Sequence, residues 1–174
     1  CSTRSAGVLR TGQAQEQGGQ AGGMSLLVER PLVHRKLILG YHVVPDKWLL
    51  QGGTVGGGGT LRWFNEQLGA YQQRVSSERG LSPYEVMSEE AARVRPGSDG
   101  LIFLPYMSGE RSPIWDSTAR GVLFGLSYDK TRAHIIRAIM EGVGYSLLHN
   151  LETAEEVGAS ARELVSVGGS ANSA

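Results

Sequence analysis

LIFLPYMSGERSPIWDSTARGVLFGLSYDKTRAHIIRAIME, residues Leu101 to Glu141, is the stretch that decides the fold. It reads as a buried strand from Leu101 to Tyr106, a loop from Met107 to Arg120, a short apolar strand from Val122 to Leu126 and a helix opening at Thr131. The loop gathers Glu110, Arg111, Pro113, Trp115, Asp116 and Arg120 between two apolar anchors, where a scaffold commonly carries a site. The spacing alone leaves two readings of Arg111, Asp116 and Arg120 open: loop-bracing ion pairs, or functional groups.

Outward from that loop, the helix is expected to run from Thr131 to about Val157, with Ile136, Met140, Val143, Leu147 and Leu151 on one stripe and Ile135 and Ile139 widening it. Gly142 and Gly144 each cost about 1 kcal/mol against alanine inside a helix. Close approach by another backbone, a neighbouring helix or a glycine loop, is the expected compensation. Arg137 and Glu141 are spaced to pair on one face, and His134 in the first turn reads as a surface or capping residue.

Upstream, strands are expected at Met24–Glu29, Lys36–Val44 and Trp48–Val55, joined by short connections as an antiparallel meander. A glycine run, Gly56 to Gly59, leads into an amphipathic helix carrying Leu61, Phe64, Leu68 and Tyr71. Ser82, Pro83 and Glu85 are the cap, first turn and capping-box partner of a further helix that reaches about Val94. Arg95 to Gly100 breaks it. A last strand is expected at Glu163–Val167, followed by a turn from Gly168 to Ser173. The segment Cys1–Gln17 is polar and weakly patterned and reads as a short helical or irregular remnant without its packing partner. These elements make an α/β fold, a mixed sheet with helices.

The bulk numbers exclude several classes. Among 174 residues, 17 Lys and Arg balance 17 Asp and Glu, which argues against a nucleic-acid surface. One cysteine forms no internal disulfide, and no apolar run is long enough to span a bilayer, so the expected compartment is the cytosol and no membrane partner is expected. Glycine is the outlier: 25 of 174 residues, about twice the usual ~7%, and clustered at Gly18–Gly23, Gly52–Gly53, Gly56–Gly59 and Gly168–Gly169. Such segments either serve tight turns and close packing or present unpaired amides to phosphate. None matches a Walker or dinucleotide pattern. The start at Cys1 and the stop at Ala174 after a glycine turn give the expectation of a piece of a larger protein.

The central stretch resembles the FGGY family of carbohydrate kinases, which includes xylulokinase, gluconate kinase and glycerol kinase. The family's C-terminal signature (Gly-x-apolar-x-Gly-aliphatic, a spacer, then a polar residue opening a helix that reaches an acidic residue) is met by Gly121, Leu123, Gly125 and Leu126, then His134, Ile135, Ala138, Ile139, Met140 and Glu141. Leu104 to Pro113 is similar to the loop of the xylulokinase-like branch. The resemblance implies an incomplete C-terminal lobe of the actin-like, ribonuclease-H-like ATPase fold, with residues 1–17 as a junction and 18–174 as the partial lobe. It implies ATP and Mg2+, and a sugar, polyol or sugar acid as acceptor.

By the same resemblance Gly19, Gln20 and Ala21 fall beside the terminal phosphates, with Gln20 where the family has a hydroxyl residue. Gly57, Gly58 and Gly59 match a second glycine loop. Gly168, Gly169, Ser170, Ala171, Asn172 and Ser173 match the loop near the phosphates and adenosine, with Ser170 in place of a third glycine. The aspartate base of the family has no counterpart here, since no acidic residue precedes Glu16, so no catalytic residue and no metal ligand is assigned. The chain alone is then expected to be inactive and to bind nucleotide weakly. A lobe without its partner exposes apolar surface, which makes self-association into a homodimer an expectation. A non-catalytic actin-like scaffold or regulatory domain is the alternative, favoured by Gln20 and Ser170.

Overall fold

A computed structural model of the chain describes residues 7–172, without the side chains of Ser170 and Asn172. The turn at Ser173 lies outside the described residues, as does the first part of the expected N-terminal remnant. Strands β1 (Gln13–Gly18), β2 (Gly22–Val28), β3 (Ile38–Tyr41), β4 (Trp48–Thr54) and β7 (Glu163–Gly168) form one sheet in the order β3-β4-β2-β1-β7. β5 (Ile102–Leu104) and β6 (Val122–Phe124) form a separate antiparallel ribbon. The helices are α1 (Gly58–Leu68), α2 (Ala70–Arg79), α3 (Pro83–Ala91) and α4 (Arg132–Glu155).

β1 runs antiparallel to β2 and parallel to β7, so it lies inside the sheet. The helical or irregular reading is therefore corrected over Gln13–Gln17. Its Gln-Ala-Gln-Glu-Gln sequence hides a strand because the strand's two faces meet different surroundings. Ala14 packs in the core, while Gln15 lies under a polar loop, so no apolar alternation is visible.

The expected meander is also corrected. β4 pairs with both β3 and β2, so β3 is displaced to the edge. β2 and β4 are matched seven-residue strands with Leu26 opposite Leu50, and both leucines are fully buried. β3 is four residues long, with Ile38 and Tyr41 exposed.

Helix α4, 24 residues and about 36 Å long, ties the two sheets together. Its C-terminal half packs Ala154 against Leu26, Leu50, Met24 and Ala14 of the large sheet. Its N-terminal half packs Ile136, Ala138 and Ile139 against Phe64 of α1, Met87 and Ala91 of α3 and Phe103 of β5. Each fully buried Leu or Ile contributes about 1.5–3 kcal/mol by removal from water. The centre of the buried face runs through Ile136, Ile139, Gly142, Ser146, Asn150 and Thr153, with Met140, Val143, Leu147 and Leu151 on its shoulders. Periodicity locates the face, but the polar residues at its centre are read only from their partners.

Gly142 lies where a Cβ would meet the backbone carbonyl of Phe103, while Gly144 has nothing within 4 Å. The compensation for Gly142 is thus a strand of the ribbon, neither a helix nor a glycine loop, and Gly144 has none. Only alternate residues of 101–106 are buried, because the ribbon covers a single face of α4.

The helix expected through Tyr71 divides at Gly69 into α1 and α2. Tyr71 is then an exposed platform, its ring centroid 3.9 Å from the Arg132 guanidinium carbon. The Ser82–Glu85 capping box forms as expected. So does the Arg137–Glu141 pair, at 2.7 Å. His134 caps α4: its Nδ1 accepts from the Thr131 amide at 3.1 Å, which leaves the Nε2 side toward Asp99 at 3.2 Å.

Candidate functional site

Three glycine segments meet at one end of the large sheet. The ladder pairs Gly18 with Gly22, Gly22 with Thr54, and Gly18 with Gly168, so the ends of β1, β2, β4 and β7 are level. The β1–β2 turn (Gly19, Gln20, Ala21) leans directly on the start of α1. The Gly58 amide donates to the Gly19 carbonyl at 2.8 Å, and the Gly59 amide donates to the Gln20 carbonyl at 2.9 Å. A Cβ on Gly57 would lie 2.5 Å from the Ala21 carbonyl carbon and 2.6 Å from the Gly22 nitrogen. Only glycine permits that approach. Gly168, at φ +96°, abuts the Gly18 carbonyl, and a 3₁₀ turn over Gly169–Asn172 continues from it.

The segments named from the sequence, Gly19 and Gln20, Gly57 to Gly59, and Gly168 to Asn172, are thus brought together by the fold. Their roles differ from open amides, however. The amides of Gly19 and Gly57 donate to Ala21 and Val55, and those of Gly58 and Gly59 to the turn, so these four brace the loops. The start of α1 has no side-chain cap; the turn carbonyls take that place. At the exposed tip the Gln20 amide has no backbone acceptor among the described residues.

Beside this rim, on the sheet face opposite α4, lies a pocket of about 340 Å³. Gln15, Ser25 and Gln51 stand in one cross-strand row. The Gly23–Gly53 pair stands in the next row, toward the turn, and Ala21 and Gly22 line both pocket and rim. Gln51 donates to the Ser25 hydroxyl at 3.1 Å. Gln15 is 2% exposed and its Oε1 has no partner among the described residues; neither has the Oγ of Ser112, 1% exposed.

The loop after β5 roofs this pocket. Glu110, buried, turns inward: it accepts from the Thr54 hydroxyl at 2.6 Å, the Val55 amide at 2.9 Å and the Arg111 amide at 2.7 Å. Burial, then the Glu110 charge, raises the nearby Tyr106 hydroxyl above its ordinary pKa. Asn150 of α4 donates to the Ser112 carbonyl at 3.1 Å, and the Trp115 indole donates to the Lys36 carbonyl at 2.8 Å.

Of the two readings of the charged loop residues, the ion-pair one survives only weakly: among the described residues Arg111, Asp116 and Arg120 form no close ion pair, and the Arg120 charge is the smallest of the influences that lower the Asp116 pKa. Asp116 accepts from the hydroxyl and amide of Thr118, which lower its pKa. Arg120 donates to the Ser117 and Ala119 carbonyls, and Arg111 extends over Gly53. Gln15, Gln51, Ser112 and Gly53 escape sequence reasoning because their proximity is a property of strand register. For Gln15 and Gln17 the one available signal was polar residues at every second position, read instead as a lack of pattern.

Among the described residues no group of three or more His, Cys, Asp or Glu side chains could hold a metal ion, and no helix is long and apolar enough to cross a membrane. Comparison with known proteins places these features. Residues 26–174 match the family model described as FGGY family of carbohydrate kinases, C-terminal domain. The chain is 36% identical over 140 residues to a gluconokinase of Bacillus subtilis, covering 80% of this chain and 27% of that protein. It is 37% identical over 131 residues to a xylulose kinase of Lactococcus lactis, covering 75% of this chain and 24% of that one. A solved xylulose kinase from Rhodospirillum rubrum superposes with a TM-score of 0.85 at 28% identity, over 99% of this chain and 33% of that one. The chain therefore spans about a quarter of the length of the curated relatives it matches. With a fold that superposes over 99% of its length on a solved xylulose kinase and residues 26–174 matching the family's C-terminal domain, the chain belongs to the FGGY family of carbohydrate kinases.

Proposed function

We propose that this chain forms the nucleotide-side lobe of an ATP-dependent kinase that transfers the γ-phosphoryl group to a hydroxyl of a sugar, polyol or sugar acid. The observation that carries the reading is the junction of the glycine rim with the polar pocket, which share Ala21 and Gly22. A phosphoryl group held at the rim lies next to whatever fills the pocket. Transfer between two such groups depends on positioning and charge stabilisation rather than on covalent chemistry by the protein.

Within this proposal the lobe proper begins with β1 (Gln13–Gly18), which lies inside its sheet, so the junction expected over 1–17 is confined to the residues before Gln13. Gly57, Gly58 and Gly59 fix the shape of the rim, and Gly168, Gly169, Ser170 and Asn172 form its far side. Gly19 and Gln20 face the terminal phosphates, with the Gln20 amide as a donor. Magnesium arrives with the nucleotide phosphates, and no residue of this chain is assigned to it. The pocket lining contains no Asp or Glu, so the base that takes the acceptor's proton comes from elsewhere in the enzyme. The lobe alone is inactive. A cytosolic location, self-association through exposed apolar surface and the absence of nucleic-acid or membrane partners complete the proposal.

The test is ADP release by the enzyme that carries this lobe, with ATP, magnesium and a panel of ketoses, polyols and sugar acids. Turnover with at least one acceptor is expected. No turnover with any, together with no ATP binding by calorimetry, refutes the reading. The competing reading, an actin-like scaffold without chemistry, is favoured by the internal use of the Gly57, Gly58 and Gly59 amides, and the same two measurements separate it.

A further inference from the structure

We propose that Arg111 is the oxyanion-binding residue of the pocket, and that the pocket takes a polyhydroxylated molecule bearing its own carboxylate or phosphate group. The proposal rests on the kinase reading for its place in a reaction, but the argument for it is local. The Arg111 guanidinium has no hydrogen-bond or ion-pair partner among the described residues, although the chain carries as many acidic as basic side chains. Its own neighbour, Glu110, is turned away to Thr54 and Val55. The pocket lining holds no carboxylate to neutralise it.

The residue is nonetheless held in place. On one side Glu110 ties the loop to the end of β4. On the other, Asn150 holds the Ser112 carbonyl, and the Trp115 amide donates to the Arg111 carbonyl at 2.6 Å. These clamps set the guanidinium over Gly53, where an added Cβ would lie 3.2 Å from Nη2. A guanidinium presents paired N–H groups that match two oxygens of one carboxylate or phosphate.

The rest of the lining supplies the hydroxyl chemistry. The buried Oε1 of Gln15 and Oγ of Ser112 lack partners among the described residues, an unfavourable state that ligand hydroxyls relieve. The Gly23–Gly53 pair has no side chains, and a Cβ at Gly23 would meet only the Gly52 carbonyl, at 3.7 Å. The guanidinium covers Gly53, so the open part of the floor lies over Gly23, beside Arg111 and the amide row. One shared chemistry, an oxyanion on a polyol, fits two sources: the carboxylate of a sugar acid acceptor, or the phosphate of a phosphorylated product.

The experiment titrates this chain with gluconate, inorganic phosphate, xylulose and ATP, read by NMR shifts of the Gly23, Gln51 and Gly53 amides. It compares wild type with Arg111→Met, Arg111→Lys and Gly53→Ala. Arg111→Met is expected to weaken an oxyanion probe by about tenfold to a hundredfold, with Arg111→Lys in between and xylulose unchanged. Gly53→Ala displaces the guanidinium without removing it and should also weaken that probe. A loss confined to gluconate assigns the carboxylate source, one confined to phosphate the phosphate source, and one shared by both supports an oxyanion site open to either. Oxyanion affinities unchanged in Arg111→Met with its circular dichroism intact overturn the proposal, as does wild-type binding of gluconate and phosphate no tighter than of xylulose. ATP shifts at Gly19 and Gln20 that persist while the oxyanion results fail leave the kinase reading standing. Arg111-dependent binding without ATP shifts leaves the pocket standing and leaves the kinase reading to be decided by ADP release from the enzyme that carries this lobe.

Discussion

Replacing Glu110 by alanine removes the acceptor of three hydrogen bonds at once, and the structure separates their costs. The Arg111 amide lies on an exposed residue and turns to water. The Thr54 side chain is fully buried, and the Val55 amide lies in the bend between β4 and α1. Leaving each without an acceptor costs about 1–3 kcal/mol. Relief of a buried carboxylate offsets part of this, so the expected net loss is about 2–4 kcal/mol, or roughly 5–15 °C in Tm for a domain of this size.

Glu110→Gln is the discriminating partner. Its amide oxygen still accepts from Val55 and Arg111, and its NH2 donates to the Thr54 hydroxyl, which reverses its role. The expected cost is below about 1 kcal/mol. Urea unfolding of both variants followed by circular dichroism gives the comparison. Equal destabilisation by alanine and glutamine, or an alanine variant within about 1 kcal/mol of wild type, refutes the account of Glu110 as acceptor for the buried Thr54 hydroxyl and the half-buried Val55 amide.

Three further outcomes are expected. Gly57→Ala drives a Cβ into the Ala21–Gly22 peptide and separates α1 from the turn; it should cost about 1–3 kcal/mol by overpacking and abolish ATP shifts at Gln20, and wild-type melting would contradict it. Gly142→Ala meets the Phe103 carbonyl and should destabilise, whereas Gly144→Ala meets nothing and should stabilise by up to about 1 kcal/mol, so equal signs in thermal melts would be contrary to expectation. At Glu90, burial raises the carboxyl pKa, but hydrogen bonds from Arg132 and Gln72 outweigh it and leave the group below its ordinary 4.5. A depressed carboxyl contributes stability that is complete above its unfolded pKa and is lost as pH falls through the folded one, so acid unfolding should begin below 4.5 and be blunted in Arg132→Met. An unchanged acid profile in that variant would count against the Glu90–Arg132 pair as its source.

Much of this domain was legible from local chemistry. The capping box at Ser82, the long helix from Thr131, the apolar strands and the glycine turns each announce themselves within a few residues. The two-motif run from Leu104 to Glu141 carried the family. Three things were not legible. β1 was hidden because its glutamines answer to a loop about a hundred residues away. The order of β3, β4 and β2 was hidden because hairpin neighbours in sequence need not be neighbours in the sheet. The use of the Gly58 and Gly59 amides was hidden because their acceptors lie on a different turn.

What the sequence by itself determined is therefore the set of elements, the family and the positions where backbone must approach backbone, since caps, periodicity and missing Cβ atoms act over one or two turns of chain. Only the tertiary structure decided what those positions are for. Register placed Gln15, Gln51 and Gly53 in one pocket, and helix packing set Asn150 beneath the loop. Both hold Arg111 against Gly53 at the edge of that pocket, because a site of this kind is made by groups that are distant along the chain and a few ångströms apart in space.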